Sequence, residues 1–382
     1  MGKTGKRSLR ASAADTHNYG IDLLRCLAMF LVVVLHLFNQ GGVYSAIHKA
    51  APNSLNNGLC VFLRFVCLGA VNIYGMISGY VMLNSRFKLR RFFSLWLQVV
   101  VIGVVLCAVF SFVCPERMCG EYWIKAILPV SQRAYWYFTC YAGVFLLSPI
   151  LNRGIRALND QQAVALMLGC IFLFCVVAAV GYAYNGDAFY LVGGYSVLWL
   201  VALYIIGACL KKTGLLLHAK WWVLLLVMAA CFGLNCLLQN CKLPALIMDV
   251  KSVASKYINP LLTVFDICLF ALFVRIEFRS KTVKKLLSFA APLTFSVYLL
   301  HLHPVVWDYL KNRLLFVGEL PSWTQLPFVL ALAIAVFLTG ILIDWLRVQL
   351  FRLLRVEAFC AAMERALRKI VEKFNRFLLK RT

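Results

Sequence analysis

Acidic residues are scarce in this 382-residue chain: 15 Asp and Glu stand against 39 Lys and Arg, and all charged residues together make up 14%. Soluble domains carry roughly 25% charged residues, so this shortage excludes an ordinary soluble enzyme. No basic patch is interleaved with stacking aromatics in a polar domain, so the formal charge of +24 does not point to nucleic acid. No small-residue cleavage site follows the first apolar run, which polar Asn39 and Gln40 close, so that run is expected to stay as a helix. Internal repeats, low-complexity linkers and a separate soluble domain are missing. Cysteine is plentiful at 15, yet no CxxC and no Cys/His cluster has metal-ligand spacing, and no metal or resident cofactor is expected. Most cysteines (Cys26, Cys107, Cys170, Cys175, Cys209, Cys231, Cys268) sit in apolar runs, where Cys acts as a small hydrophobe. The pairs Cys114/Cys119 and Cys236/Cys241 fall at predicted outer loops, where disulfides are chemically open to them.

What is present is apolar length. Hydrophobic residues make up 63% of the chain, and the mean hydropathy is +0.82. Runs near 20–39, 58–83, 92–113, 134–152, 163–184, 195–210, 221–239, 259–275, 289–309 and 325–347 approach the roughly 20 residues that span a hydrocarbon core. These predict an all-α polytopic integral membrane protein of about ten transmembrane helices. With the N-terminus inside, 28 Lys and Arg fall on the cytoplasmic side and nine outside, and only Arg25 and Arg64 lie within spans. That is positive-inside sorting, and it places both termini in the cytoplasm. The expected organisation is a cytoplasmic tail at 1–17, where Lys3, Lys6, Arg7 and Arg10 lie, a membrane domain at 18–350 and a basic tail at 351–382. From Arg352 onward basic and apolar residues alternate at helical spacing, as in an amphipathic helix lying on an anionic leaflet, with Phe374, Phe377 and Leu378 needing cover.

Arg25 and His36 stand inside the first span, where a central Arg costs roughly 2.5–3.5 kcal/mol on insertion scales unless it faces protein, water or a partner. Eleven residues separate them, close to three helical turns, so they share one face about 16 Å apart. Asp22 lies three residues before Arg25 and is placed to pair with it. Snorkelling of Arg25 and a helix-to-helix hydrogen bond from His36 are the plainer readings. In the ninth span His301 falls in the same half of the membrane as His36, which suggests a shared cavity. His303 precedes Pro304 and is expected to satisfy backbone at a kink.

Arg86, Lys88, Arg90 and Arg91 cluster between the second and third spans. They mark topology, and they are also what a phosphate-rich donor needs. Tyr135, Trp136 and Tyr137 read by default as an interface belt, and Ser78 with Gly79 as a small-residue packing site.

Taken in order, these segments resemble the membrane acyltransferase 3 family. IDLLRCLAMFLVVVLH is similar to its first-span signature of Arg, ten residues and His, with Asp just before. VNIYGMISGY, FKLRRFFSLWLQ, the YWYF–SP–LN run and TFSVYLLHLHP are similar to its later motifs, and together they cover Ile21 to about Pro304. The resemblance implies an enzyme of a bacterial cell membrane. It would move an acyl group, often acetyl, from cytoplasmic acyl-CoA to a hydroxyl of a surface glycan or its lipid-linked precursor, among membrane lipids and without nucleic acid. By the same carry-over His36, Arg25 and His301 are the catalytic candidates and Lys88, Arg90 and Arg91 meet the donor, with Asp22, Ser78, Trp136 and Tyr298 in support. Two departures stand out: Phe93–Ser94–Leu95–Trp96 replaces a Pro that some members carry after the basic run, and these 382 residues hold none of the esterase-like domain that some members carry.

The chemistry agrees with that implication, since an imidazole with a pKa near 6.5 takes a proton from an attacking hydroxyl at neutral pH. Arg25, about 16 Å from His36, is too far to touch the same atom and better suits donor orientation. Two competing readings remain. One is a proton-coupled transporter or flippase of lipid-linked sugars, with His36, His301 and Asp266 as a relay. The other is a membrane sensor without turnover.

Overall fold

The computed structural model describes residues 17–184, 186–240 and 250–379; the tail cations Lys3, Lys6, Arg7 and Arg10, together with Cys241 and Lys242, lie outside them, as do the side chains of Phe377 and Leu378. Helices form every long element among the described residues. In chain order they are α1 (Tyr19–Asn39), α2 (Val43–Ala50), α3 (Leu55–Leu68), α4 (Ala70–Met82), α5 (Leu89–Val113), α6 (Gly120–Ile127), α7 (Trp136–Ala157) and α8 (Asp160–Ile171). A π-helical stretch, Phe172–Val177, carries α8 into α9 (Ala178–Ala183). Next come α10 (Val197–Thr213), α11 (Trp221–Asn240), α12 (Val250–Ala254), α13 (Pro260–Val274), α14 (Lys281–Ala290), α15 (Thr294–His301), α16 (Pro304–Leu310), α17 (Ser322–Leu353) and α18 (Val356–Leu379).

Each of the ten apolar runs falls on helix. Among the described residues seven helical segments are long and apolar enough to cross a membrane: Tyr19–Asn39, Leu55–Met82, Leu89–Val113, Asp160–Ala183, Trp221–Gln239, Lys281–His301 and Ser322–Leu353. The other three runs lie on α7, α10 and α13. The last of these has 15 residues, about 22 Å of helix.

Burial separates these helices sharply. In α1, 67% of the apolar window is enclosed by protein, against 22% in Ser322–Leu353 and 17% in Trp221–Gln239. α1 is therefore the spine of the molecule, and a polar side chain on it meets protein before lipid. Its start is fixed by Asn18, whose side chain accepts from the Ile21 N–H at 3.0 Å and donates to the Val274 carbonyl at 2.9 Å. Its far end is fixed by backbone pairing of Gln40 and Gly41 with Asn312 and Leu314, at 2.8 and 2.9 Å.

α4 and α10 cross backbone to backbone. A side chain at Gly79 would strike the Tyr204 carbonyl, and one at Gly207 the Met76 carbonyl. Only glycine allows this approach, so Gly79 is the packing residue expected, while Ser78 donates to the Tyr74 carbonyl at 2.9 Å. Buried polar groups tie the helices together: Gln98 of α5 donates to Ser296 of α15 at 2.8 Å and to Asp344 of α17 at 3.0 Å, and Arg347 pairs with Asp344 at 2.6 Å. Such a network is tolerable in an apolar core because each member is hydrogen-bonded.

The ninth run is not one helix. It breaks at Leu302–His303, where Pro304 lacks an N–H and holds His303 extended (φ −54°, ψ 134°), so α16 starts afresh. The tail also differs in its start: α17 runs to Leu353, Arg355 takes a positive φ of 53°, and α18 begins at Val356. α18 packs on the start of α5, where Glu364 accepts the Leu89 N–H at 3.1 Å and pairs with Arg368. Cys114 and Cys119 are both free thiols, so that candidate disulfide is not formed.

Candidate active site

The far end of α1 holds the densest constellation of polar groups with chemical potential. His36, half-buried on α1, places Nδ1 2.9 Å from Nε2 of His301 on α15, although 265 residues separate them. The Trp307 ring stands edge-on to His36 at 5.1 Å, and Gln40, one turn further along α1, donates to the Trp307 carbonyl at 3.0 Å. This second contact locks α16 beside the imidazole.

Hydrogen-bond logic assigns the tautomers. Nδ1 of His301 lies against the Val297 carbonyl, which only accepts, so that nitrogen carries the hydrogen. Nε2 of neutral His301 is then an acceptor and must receive Nδ1–H from His36. The Nε2 of His36 is left with the lone pair. A carbonyl, a first imidazole and a second imidazole in series thus leave one ring nitrogen of His36 free to accept a proton.

His36 lines a cavity of about 450 Å³ shared with Arg64, Tyr195, Lys256, Tyr257 and Trp307. From this cavity a chain of ring contacts runs through the protein. Trp136 packs on Tyr195 (4.6 Å) and Tyr257 (5.7 Å) and touches Tyr137 (5.6 Å), which meets Tyr298 at 6.3 Å, and Tyr298 meets His301 at 6.5 Å. One turn along α7, Tyr141 contacts Phe145 at 6.3 Å, and Phe145 packs on Phe87 at 4.9 Å. Tyr135 is buried and donates to the Leu299 carbonyl at 3.0 Å. The aromatic triplet Tyr135–Tyr137 is therefore interior, not an interface belt, because α15 and Tyr257 cover the faces a belt would turn to lipid. The Tyr298 hydroxyl is buried beside the Tyr137 and Phe138 backbone.

At the opposite end of α1, Arg25 donates to Asp22 at 3.3 Å, and Asp22 also meets His17 at 2.5 Å. Arg25 is held by this pair, with a quarter of its side chain exposed, and does not simply snorkel. Phe87 and Phe145 line a small pocket with Arg86, Lys88 and Arg91 that has room for only about 20 Å³. Arg90 does not line this pocket; its backbone lies beside Glu364 of α18.

One pattern therefore unites a basic cluster at one end, a histidine relay at the other and an aromatic seam between them. A family model described as an acyltransferase domain, that of the acyltransferase 3 family, matches residues 18–345. The chain belongs to this family. No curated protein and no solved structure is detectably similar to this acyltransferase.

The structure brings together His36, His301, Trp136 and Tyr298; separately it pairs Arg25 with Asp22 and sets Lys88 and Arg91 around the small pocket. Ser78 turns to its own helix backbone. His303 does not serve the kink through its side chain: it is buried against Cys107 of α5 at 3.7 Å. Asp266 is fully buried and pairs with Asn72 at 2.9 Å, whose other contacts are Trp199 and the Tyr257 carbonyl; its partner in the acyltransferase is thus Asn72, not a histidine. Sequence reasoning missed Arg64, Tyr257, Lys256 and Trp307. Arg64 carried the same signal as Arg25, a cation inside a span, and the other three carried none until α16 and the segment after α12 were brought to the cavity at His36.

Proposed function

We propose that this acyltransferase is a ten-span O-acyltransferase with both termini cytoplasmic. It takes an acyl group, acetyl in the simplest case, from cytoplasmic acyl-CoA and passes it to a hydroxyl of a cell-surface glycan or its lipid-linked precursor. The observation that carries the proposal is the His36–His301 relay, which leaves one ring nitrogen of a cavity-lining histidine free to accept a proton, at the end of α1 opposite the Arg86–Arg91 cluster.

In this reading the acceptor hydroxyl lies at Nε2 of His36. His36 takes its proton as the oxygen attacks the thioester carbonyl, and the new imidazolium is steadied by donating Nδ1–H to His301. The tetrahedral intermediate collapses with cleavage of the C–S bond, and the CoA thiolate recovers the proton from His36. The products are the O-acyl ester and free CoA thiol. His301 acts through His36 as a positioning residue. Tyr298, whose buried ring stands 6.5 Å from that of His301, is the candidate donor to the oxyanion. Arg86, Lys88 and Arg91 receive the donor phosphates, Arg25 orients the donor, and the pantetheine arm follows the aromatic seam between the two ends.

The test uses the full chain in lipid nanodiscs with radiolabelled acetyl-CoA and a surface-glycan acceptor extract. Wild type consumes acetyl-CoA and labels glycan, and His36→Ala lowers the rate by about 10³-fold. A wild-type protein that consumes no acyl-CoA but moves lipid-linked sugar under an imposed proton gradient overturns the proposal in favour of transport.

A further inference from the structure

The cavity at His36 has a charge imbalance that general-base chemistry does not require. Two permanent cations, Arg64 and Lys256, line it, and among the described residues no Asp or Glu does. Among the described residues neither cation is paired with a carboxylate. Cations at this end of the molecule run against the sorting that governs the rest of the chain, and Arg64 stands inside an apolar run. An uncompensated charge in a partly desolvated site is costly, so its natural complement is a ligand of opposite sign.

Both cations are held in place. The Arg64 guanidinium lies over the Tyr44 ring at 4.7 Å, and its Nε donates to Asn39 at 3.0 Å. Asn39 is three residues beyond His36 on α1, so this bond fixes Arg64 on the helix face that carries the base. Lys256 rests its stem on Gly193, a left-handed residue (φ +65°) where an added Cβ would come within 3.0 Å of it, and its ammonium lies 5.5 Å from the Tyr182 ring. The neighbouring Tyr257 N–H donates to the Gly193 carbonyl at 3.1 Å, which joins the lysine to the aromatic wall. Between the cations, Tyr44, Tyr195, Tyr257 and Trp307 supply flat amphipathic faces. Flat rings for a sugar face, two placed cations for an oxyanion and a base for a hydroxyl together describe one kind of ligand.

We propose that the acceptor taken by this cavity is an anionic saccharide, whose carboxylate or phosphodiester group is held by Arg64 and Lys256 while a hydroxyl of the same or the adjoining unit lies at His36. The proposal rests on the acyl-transfer reading and names its acceptor class. Uronate and polyol-phosphate polymers share this chemistry; the planar fork of Arg64 matches a carboxylate edge to edge, whereas Lys256 serves either as a point charge.

The experiment measures binding, so it does not depend on turnover. The full chain in nanodiscs of zwitterionic lipid is titrated calorimetrically with three probes: trigalacturonate, its fully methyl-esterified neutral form, and a glycerol-phosphate trimer. At least one acidic probe binds about tenfold or more tightly than the ester, and the preference shrinks as salt is raised. Arg64→Gln and Lys256→Gln each weaken the acidic probe about tenfold and leave binding of the ester unchanged, which also reports that the variants are folded. His36→Ala keeps the preference. The relative affinity of trigalacturonate and the phosphate trimer tells the two sources apart. Equal binding of ester and acid, a preference that survives in both cation variants, or no binding of any probe overturns the proposal. Failure of the acyl-transfer reading leaves the binding preference intact, and failure of the anion reading leaves transfer to a neutral acceptor intact.

Discussion

The two ends of α1 are built on opposite plans. At the His36 end every group is positioned by another: Val297 holds His301, His301 holds His36, Gln40 holds Trp307, and Asn39 holds Arg64, around about 450 Å³ of open space. At the Arg25 end, Arg86 and Arg91 are exposed on the first turn of α5 and the loop before it, beside a pocket of about 20 Å³. The first is a preorganised site whose geometry does the discriminating. The second presents charge and has no room for a nucleotide as it stands, so donor binding there, as proposed, requires movement of side chains. In the proposed reading one end of the spine supplies orientation and the other capture, and they should fail in different ways when altered.

The largest effect expected from breaking this comparison is at the relay. His301→Ala removes the acceptor of the His36 Nδ1–H and frees the tautomer, so kcat for acyl transfer falls about 10²-fold with little change in KM for acyl-CoA, read by steady-state kinetics in nanodiscs. His301→Gln, which keeps an acceptor near the same place, recovers part of the loss. An unchanged kcat in His301→Ala shows that the two imidazoles do not act as a unit.

A smaller and differently shaped effect is expected at the basic end. Arg86→Gln and Arg91→Gln each raise KM for acyl-CoA about tenfold at low salt, with kcat nearly unchanged, and the loss narrows as ionic strength shortens the Debye length below about 10 Å. A loss confined to kcat would assign these residues to orientation instead of capture, and would erase the difference between the ends.

The smallest effect concerns α18. Slight burial raises the Glu364 pKa, but its hydrogen bonds to Arg368 and to the Leu89 and Arg90 backbone, with the Arg368 charge, outweigh this and hold it below the usual carboxylate value. The folded form is thus favoured by the charged carboxylate: docking of α18 on α5 is fully supported above the ordinary Glu range and weakens as pH falls through the lowered value. Hydrogen exchange of 356–376 should therefore quicken on acidification in wild type and be quick at neutral pH in Glu364→Gln, with KM for acyl-CoA rising less than threefold. Identical exchange in the two proteins would disconnect α18 from the donor end.

Legibility differed along the same divide. Arg25, Asp22 and the basic cluster stand close together in the chain or at helical spacing, so their company was readable from the sequence, and the Asp22–Arg25 pair formed as spacing required. His36 was readable as an anomaly, but its partner was not, because nothing in a linear pattern says which two of many helices touch. The belt expected of Tyr135–Tyr137 failed for the same reason: aromatic residues near a span end look alike whether they face lipid or the cover of α15. The transporter reading joins Asp266 to the two histidines as a proton relay, yet packing delivers it to Asn72. The Pro304 break was locally encoded and lay within reach of the sequence, since a residue before proline leaves the helical region for steric reasons.

What the sequence determined by itself was therefore everything carried by composition and short spacing: membrane character, helical spans, the family motifs in order, and a cation and an imidazole on one helix. Tertiary structure alone decided that His36 meets His301, that Val297 orders the tautomers of both, and that Arg64 and Lys256 converge on the same cavity. The reason is physical. Spans and pairings within a helix depend on neighbours a few residues away, whereas a buried hydrogen bond between side chains 265 residues apart exists only once packing has chosen which helices meet and removed the water that would otherwise satisfy each group.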